Sequence, residues 1–282
     1  MRARADLHSH SSFSDGTDSP AELVGKASEL QLGGLALTDH DTVNGLKEFM
    51  EAESTYDMIR VPGVELSSEH RGREVHVLGY YVQLDSDSLL RKLDNLKEIR
   101  RIRFPKMVSK LRDLGIEIEQ SEIDEFLRDI DAPGRPHLAL FLKEMGAVKT
   151  VGEAFDLYLA EDRPAYVKRV RLDTSDAIQF LRNEGAVPII AHPLSSGLPN
   201  LRDFLIEMKE FGLMGVESEY NYTPMKIAAS KEDISGAIWG LDLITTGGSD
   251  YHGGQWMSSL GQVTVPLSVV EDLRKKANIP RA

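Results

Sequence analysis

The chain has 282 residues, of which 41% are hydrophobic and 28% charged, so it has the composition of an ordinary globular protein large enough for one barrel-sized domain with an insertion. Its formal net charge of -12 argues against an extended basic surface for duplex nucleic acid, although a local basic pocket can still hold a nucleotide phosphate. The absence of cysteine excludes disulfides, thiol catalysis and iron–sulfur clusters, so any bound metal must have nitrogen and oxygen ligands.

In chain order, short apolar runs first alternate with helical patterns, which is typical of βα units. Ser19, Pro20 and Glu22 have the residue types of an N-cap, a first helical position and a capping box. The first part of the chain therefore predicts strands at residues 3–7, 35–38, 59–65 and 75–82, and helices at 19–32 and 42–53.

The next part is almost purely helical, and it predicts helices at residues 89–114, with a break at Pro105, and at 121–128, 137–145 and 151–159. We expect an inserted helical subdomain at residues 89–161 and a discontinuous barrel domain at residues 1–88 and 162–282. The βα pattern returns after Pro164, with helices at 174–184, 201–211, 227–234 and 267–276, and strands at 187–191, 214–217 and 241–246. This order favours an α/β fold with a TIM-like (β/α) barrel, and an open doubly wound sheet is the alternative.

Histidines and carboxylates recur at the ends of the predicted strands. In a (β/α) barrel the carboxyl ends of the strands converge on one rim, so residues distant in sequence become neighbours there. A lone histidine more often serves packing or hydrogen bonding, and it is the repetition at equivalent positions that predicts a metal site. The nine candidate ligands are His8, His10, Asp15, His40, Glu65, His76, His192, Asp250 and His252.

Some of these positions have simpler interpretations. His76 lies inside a predicted strand and could be a buried core histidine, and Asp15 lies in a sequence typical of a turn. Asp39 and Asp41, on either side of His40, are candidates for hydrogen bonds to the outer nitrogens of metal-bound imidazoles.

The strand-end motifs resemble those of the PHP (polymerase and histidinol phosphatase) family of metal-dependent phosphoesterases. They are Asp6-Leu7-His8-Ser9-His10, Thr38-Asp39-His40, Gly63-Val64-Glu65, Ala191-His192-Pro193 and Ser249-Asp250-Tyr251-His252. The resemblance implies a distorted seven-stranded (β/α) barrel with two or three divalent ions. One ion would be held by His8, His10, Glu65 and Asp250, a second by Asp15, His40 and His252, and a third, if present, by Glu65, His76 and His192.

This mixture of imidazole and carboxylate ligands suits Mn²⁺, Zn²⁺ or Fe²⁺ better than an all-oxygen Mg²⁺ site, and the resemblance favours Mn²⁺. Such ions neutralise phosphoryl oxygens and activate water at neutral pH. We expect in-line attack of this water on phosphorus, with Asp15 or His252 adjusting the water and Arg135 holding a second phosphate.

Gly134-Arg135-Pro136-His137, residues 163–171 and the helical insertion resemble the PHP proteins that dephosphorylate nucleoside 3′,5′-bisphosphates or shorten small oligoribonucleotides. A second phosphate needs a cationic anchor, and arginine binds phosphate through two parallel hydrogen bonds. The candidate substrate-binding residues are Arg135, His137, Lys168, Arg169 and Ser195. The alternatives are a solvated edge strand at residues 168–171, a helix-surface histidine at position 137 and a simple turn at residues 195–197.

The main functional prediction is hydrolysis of the 3′-phosphate of a nucleotide such as adenosine 3′,5′-bisphosphate, giving AMP and phosphate. The alternatives are a 5′–3′ exonuclease on short oligoribonucleotides, a histidinol-phosphate-type phosphatase, a non-catalytic metal-binding module and an amidohydrolase. The complete ligand set counts against the non-catalytic module, and the positions of Asp15, Asp250 and His252 count against the amidohydrolase. Because the N-terminus has no apolar signal segment and no apolar run could cross a bilayer, we expect a cytoplasmic protein without membrane or duplex nucleic-acid partners.

Overall fold

The computed structural model describes residues 3–128, 130, 133–225, 227, 231–254 and 258–277. The strands in this part of the chain are β1 (Arg4–Asp6), β2 (Gly34–Leu37), β3 (Ile59–His70), β4 (Arg73–Tyr80), β5 (Leu172–Asp173), β6 (Val187–Ile190), β7 (Gly215–Glu219), β8 (Ile244–Gly247) and β9 (Val265–Pro266). The helices are α1 (Pro20–Glu29), α2 (Leu46–Glu51), α3 (Asp87–Asp113), α4 (Gln120–Phe126), α5 (Arg135–Glu144), α6 (Val151–Ala154), α7 (Thr174–Asn183), α8 (Leu201–Glu210), α9 (Lys231–Ile238) and α10 (Leu267–Lys276). The predicted helix at 227–234 lies partly outside the described residues.

Eight strands form one path in the order β8-β7-β6-β4-β3-β2-β1-β9, and β5 pairs with β3. Four of the seven neighbouring pairs on this path are parallel. Strand β4 is antiparallel to both β3 and β6, and β9 is antiparallel to β1. The sheet nearly closes, since the Leu7 N–H donates to the Gly247 carbonyl and the His10 N–H donates to the Tyr251 carbonyl. The predicted TIM-like barrel is therefore confirmed, and the open doubly wound alternative is wrong. The path has eight strands rather than seven because the two-residue strand β9 pairs with β1.

The start of α1 follows directly from its sequence. The Ser19 hydroxyl accepts a hydrogen bond from the Glu22 N–H at 3.2 Å, and the Glu22 carboxylate accepts one from the Ser19 N–H at 2.7 Å. This reciprocal pair is the predicted capping box, which satisfies N–H groups that have no partner within the helix.

Helix α3 runs without interruption through Pro105, so the predicted break there is wrong. Its first half buries Leu89 and Leu93 in the barrel core, whereas its second half buries Met107 and Leu111 in a separate core formed with the inserted helices. Packing on both sides of the proline stabilises one continuous helix despite the backbone hydrogen bond that proline removes. Because α3 contributes to both cores, the division of the chain at residue 89 stays a prediction.

Among the described helices, none combines the length and apolar character that a membrane-spanning segment needs.

Candidate active site

The candidate ligands lie where β1, β2, β6 and β8 end and along the antiparallel pair β3 and β4. Backbone hydrogen bonds continue past the strand ends and set the register of the loops. The Asp41 N–H donates to the Glu65 carbonyl at 2.9 Å, and the Ala191 N–H donates to the His76 carbonyl at 3.0 Å. The loops that carry His40 and His192 are therefore fixed against the strands that carry Glu65 and His76.

Glu65 lies at the centre of the site with no exposed side-chain surface. Five imidazoles surround its carboxylate, so this side chain contacts residues that are up to 127 positions away in the sequence. Nitrogens of His8, His10 and His40 lie 3.3, 3.2 and 3.0 Å from its Oε2, and nitrogens of His76 and His192 lie 3.0 and 3.2 Å from its Oε1.

Within the described residues, three groups have ligand atoms that all lie within 4.8 Å of one another. They are His8, His10, Glu65 and Asp250; His10, Asp15, His40 and His252; and His40, Glu65 and His76. The first group is the set that the resemblance implied for one ion. The second contains the implied set together with His10, and the third contains His40 in addition to Glu65 and His76. His192 contacts Glu65 without belonging to the third group.

The donor atoms fit divalent cations. Several of them are buried without a hydrogen-bond partner in the described part of the chain: His8 Nε2, both ring nitrogens of His10, His40 Nδ1, His76 Nδ1 and Glu65 Oε2. The histidine nitrogens among them lie 3.0–3.3 Å from the Glu65 carboxylate oxygens, at angles that do not form hydrogen bonds. Two ligands of one ion at bond lengths of about 2.1 Å lie about 3.0–3.4 Å apart, so these separations are those of atoms that share a cation.

The electrostatics keep the carboxylates ionised. Burial raises the pKa of Glu65, but nearby imidazoles, led by that of His40, outweigh burial and hold this pKa well below its ordinary value. Burial also raises the pKa of Asp15, and the imidazole of His252 leads the groups that hold it well below its ordinary value. Burial lowers the pKa of His40 to about 3. The carboxylates are therefore charged at neutral pH, as metal ligands must be. Against the effect of burial, neighbouring carboxylates raise the pKa of His10 to about 10 and that of His76 to about 9, so a bound cation would displace protons from these imidazoles.

The alternatives for the two weaker ligand candidates are not supported. The His76 side chain is 18% exposed and points its Nδ1 at Glu65, so it is not a core histidine. Asp15 does lie in a turn, but its Oδ1 is 3.2 Å from His252 Nε2 and its side chain is 3% exposed. The turn thus places Asp15 in the cluster.

The carboxylate that orients the histidines is Glu217, which sequence reasoning missed. Its Oε1 lies 3.0 Å from His8 Nδ1, and its Oε2 accepts a hydrogen bond from the His192 N–H at 2.7 Å. A carboxylate on the outer imidazole nitrogen fixes the tautomer and orientation of a metal-binding histidine. A signal was present, because Gly215-Val216-Glu217 repeats the pattern of Gly63-Val64-Glu65 at another strand end.

The roles predicted for the two carboxylates beside His40 were wrong. Asp39 accepts hydrogen bonds from the hydroxyls of Ser11 and Ser14, both at 2.6 Å, and so fixes the loop that carries Asp15. Asp41 binds arginines instead of an imidazole, because the inserted helix α3 brings a guanidinium to it.

One cavity of about 70 Å³ adjoins the ligand cluster. Its lining combines candidate ligands with cations. The lining residues are Asp15, His40, Ser67, Glu74, His76, Arg100, Arg103, Arg135, Pro136 and Arg169.

Two of the predicted substrate-binding residues line this cavity. Arg135 Nη2 donates to Glu74 at 2.9 Å, and its side chain is 20% exposed. Arg169 Nη2 donates to Asp41 at 2.7 Å, and its side chain is 3% exposed, so residue 169 does not belong to a solvated edge strand.

The other three predicted substrate-binding residues are not part of the described cavity lining. The Lys168 side chain is 71% exposed and lies 3.8 Å from Glu69. His137 is buried, with Nδ1 accepting the Gly134 N–H, so the alternative of a helix-surface histidine is wrong. Ser195 contacts the outer nitrogen of His192 at 2.7 Å. Substrate contacts by these three residues stay predictions.

Arg100 and Arg103 line the cavity but were not recognised in the sequence. Both belong to α3, where a spacing of three residues places side chains on the same face of a helix. The run Arg100-Arg101-Ile102-Arg103 contained this signal, but only the folded chain shows that this face of α3 meets the barrel rim.

A barrel rim that can hold several divalent ions beside an arginine-lined cavity defines the class of metal-dependent phosphoesterases. Comparison with known proteins agrees, since the PHP domain model matches residues 6–172. The chain belongs to the PHP domain family and is a metal-dependent hydrolase of phosphate esters.

Two relatives that align over most of their length are named for the two activities that the sequence predicts. A 5′-3′ exoribonuclease of Haemophilus influenzae is 31% identical over 260 residues, which cover 89% of this chain and 91% of the relative. A 3′,5′-nucleoside bisphosphate phosphatase of Chromobacterium violaceum is 30% identical over 258 residues, which cover 89% of this chain and 87% of the relative. The crystal structure of a predicted metal-dependent phosphoesterase from Bifidobacterium adolescentis superimposes with a TM-score of 0.87 at 26% identity, covering 98% of this chain and 97% of that one.

Removal of metal by a chelator is expected to abolish phosphatase activity and to lower the melting temperature. A ligand present at 100 times its dissociation constant stabilises the folded state by about 2.7 kcal/mol, and chelation removes this contribution. Metal analysis, differential scanning calorimetry and activity would be measured before chelation and after adding Mn²⁺, Zn²⁺ or Fe²⁺ back. Full activity in protein shown to be free of metal would contradict the assignment.

Proposed function

We propose that this chain hydrolyses the 3′-phosphate of nucleoside 3′,5′-bisphosphates, such as adenosine 3′,5′-bisphosphate, to give the 5′-monophosphate and phosphate. The observation that carries this proposal is the shared cavity, in which His40 and His76 of the ligand cluster lie beside Arg135 and Arg169. A substrate with two phosphates can place one at the ligand cluster and the other at the arginines. The name of the Chromobacterium violaceum relative supports the same substrate.

In this proposal, His8, His10, Glu65 and Asp250 hold one ion, Asp15, His40 and His252 hold another, and Glu65, His76 and His192 offer a third position. When bound, these ions, which we propose to be Mn²⁺, neutralise phosphoryl oxygens and lower the pKa of the attacking water.

The chain's own residues would move the protons and hold the second phosphate. Asp15 Oδ1 lies 3.2 Å from His252 Nε2. A carboxylate that binds an ion through one oxygen keeps its other oxygen, so Asp15 can take a proton from the attacking water. As the new bond to phosphorus forms, the bond to the 3′ oxygen breaks and that oxygen takes up a proton. Arg135 holds the 5′-phosphate and aligns the ester for in-line attack.

A second candidate is removal of nucleotides from the 5′ end of short RNA, which is the activity named for the Haemophilus influenzae relative. The same cavity supports this activity, because its arginines lie beside candidate ligands of the cluster. A 5′-phosphate in the arginine cavity would place the first phosphodiester at the same ligand cluster.

A substrate panel separates these activities. We would compare adenosine 3′,5′-bisphosphate, adenosine 3′-monophosphate, a 5′-phosphorylated pentaribonucleotide, histidinol phosphate, an aryl phosphate and an amide, measuring phosphate release and product length. The bisphosphate should give the highest kcat/KM, and stepwise release of nucleotides from the pentaribonucleotide would favour the second candidate. Highest activity on histidinol phosphate or the amide would contradict both.

Arg135→Ala should weaken turnover of the bisphosphate by about 10-fold to 100-fold, the size of one or two charge-assisted hydrogen bonds. Turnover of an aryl phosphate should change by less than about twofold, because this substrate has no second phosphate. Steady-state kinetics on both substrates would measure the effect. Arg128→Ala is the matched control, since the Arg128 side chain is 68% exposed in the insertion. Equal losses on both substrates would remove Arg135 as the anchor.

A further inference from the structure

The described lining of the cavity contains four arginines, and nearby carboxylates pair with three of them. Asp41 accepts hydrogen bonds from both Arg100 and Arg169. Glu74 accepts one from Arg135 and lies 2.7 Å from Arg171 Nη2. Arg103, the fourth arginine of the lining, has no carboxylate partner in the described part of the chain.

Arg103 is nevertheless held in one place. Its Nε donates to the Val167 carbonyl at 2.6 Å, and its guanidinium lies 5.5 Å from the ring centre of Tyr166. The contact with the aromatic ring and the hydrogen bond to the carbonyl orient the guanidinium group but do not neutralise its charge. The residue is 8% exposed and lines the cavity.

Two residues of the cavity lining also have hydrogen-bond donors without a partner in the described part of the chain. Arg103 Nη2 is buried without a hydrogen-bond partner among the described residues, and so is Nε of Arg169, which lines the same cavity. An unpaired buried donor destabilises the protein, and more so when it is charged. An anion in the cavity would accept these N–H groups and remove that penalty.

Burial lowers the pKa of Arg103 to about 9, and the neighbouring guanidinium of Arg135 acts in the same direction. The group still carries its charge at neutral pH. It is therefore a preformed, desolvated cation beside the ligand cluster.

We propose that Arg103 is the residue that selects substrates with a second phosphate, by donating two hydrogen bonds to that phosphate. This inference rests on the proposed bisphosphate activity and assigns its specificity to a residue that sequence reasoning did not identify. Arg135 and Arg169, each already paired with a carboxylate, complete the site, whereas Arg103 has its charge available for the substrate.

The test compares adenosine 3′,5′-bisphosphate with adenosine 3′-monophosphate, which differ only in the 5′-phosphate, on the metal-loaded enzyme. Arg103→Gln should lower the ratio of the two kcat/KM values by about 10-fold to 150-fold, as expected for the loss of a charge-assisted pair of hydrogen bonds. Arg103→Lys, which keeps the charge without the two-pronged geometry, should give an intermediate ratio. Turnover of an aryl phosphate should stay within about twofold, which also shows that each variant folds.

Lys106→Gln is the matched control, because it removes one positive charge from an exposed position on the same helix. It should leave the ratio unchanged. An unchanged ratio in Arg103→Gln would overturn the proposal, and so would a loss of equal size on the aryl phosphate.

Binding of 5′-AMP, measured by calorimetry on metal-loaded protein, separates this inference from the proposed function. If the wild type shows no preference for bisphosphates, the proposed function fails. Arg103 as a phosphate-binding residue then stands if Arg103→Gln weakens 5′-AMP binding at least tenfold. It fails if the variant and the wild type bind 5′-AMP equally.

Discussion

Glu65→Gln is expected to remove at least one ion per chain and to lower kcat/KM at least about a thousandfold on every phosphate ester. Changes to residues that merely orient metal ligands typically lower metal affinity or activity 10-fold to 100-fold, and loss of a central ligand should exceed this. Glutamine keeps the shape of the side chain but removes the negative charge from the five imidazoles that lie within 3.3 Å of the carboxylate oxygens. Metal analysis and steady-state kinetics on the bisphosphate and an aryl phosphate would measure the effect.

The loss in Glu65→Gln should be equal on the two substrates, which distinguishes it from the substrate-selective losses expected for Arg135 and Arg103. Glu117→Gln makes the same chemical change at an exposed position of the insertion and should leave both metal content and turnover unchanged. Full metal content together with activity within tenfold of the wild type would show that Glu65 is not the central ligand.

Asp41→Asn is expected to lower the free energy of unfolding by about 3–5 kcal/mol, the usual effect of removing one partner from a buried ion pair. Asp41 is fully buried and accepts hydrogen bonds from Arg100 at 2.7 Å and from Arg169 at 2.7 Å. The asparagine would leave two buried guanidinium groups facing a neutral amide. At about 2–4 °C per kcal/mol, the melting temperature should fall by about 6–20 °C, as measured by calorimetry on chelated protein.

The control for Asp41→Asn is Asp272→Asn, which breaks an exposed pair with Lys275 and should leave the stability nearly unchanged. A similarly small effect at Asp41 would contradict the prediction.

The contribution of the Asp41 carboxylate to the free energy of unfolding should also depend on pH. Burial raises its pKa, but Arg169 and Arg100 outweigh burial and hold it well below the ordinary value. A depressed pKa means that the carboxylate stabilises the fold above its unfolded value of about 3.9, and that this contribution is lost as the pH falls towards the native pKa. The difference in melting temperature between the wild type and Asp41→Asn should therefore narrow as the pH is lowered below about 4.

The parts of the fold that depend on local sequence could be predicted. The capping box of α1 involves residues three apart, and His8 and His10 lie two apart, so their relation follows from the geometry of a helix and of an extended chain. The alternation of strand and helix patterns was enough to predict a barrel. The set formed by His8, His10, Glu65 and Asp250 followed from the resemblance of their motifs to those of a known family.

Features outside these motifs that depend on contacts between distant segments were missed. The sequence around Pro105 indicates a helix break, and only the two cores on which α3 packs explain its continuity. Asp41 looked like a partner for an imidazole because the arginines that bind it, Arg100 and Arg169, come from distant segments.

From its sequence alone this chain specifies a (β/α) barrel and the residue types of a metal-dependent phosphoesterase, because periodicity, capping and strand-end motifs are short-range properties. Tertiary structure alone decides which carboxylate orients His8, that β4 runs antiparallel, and that α3 lines the cavity with Arg100 and Arg103. The physical reason is that burial and charge pairing depend on which segments meet in space. A residue such as Arg103 has the same local pattern whether its partner is water, a carboxylate or a substrate phosphate.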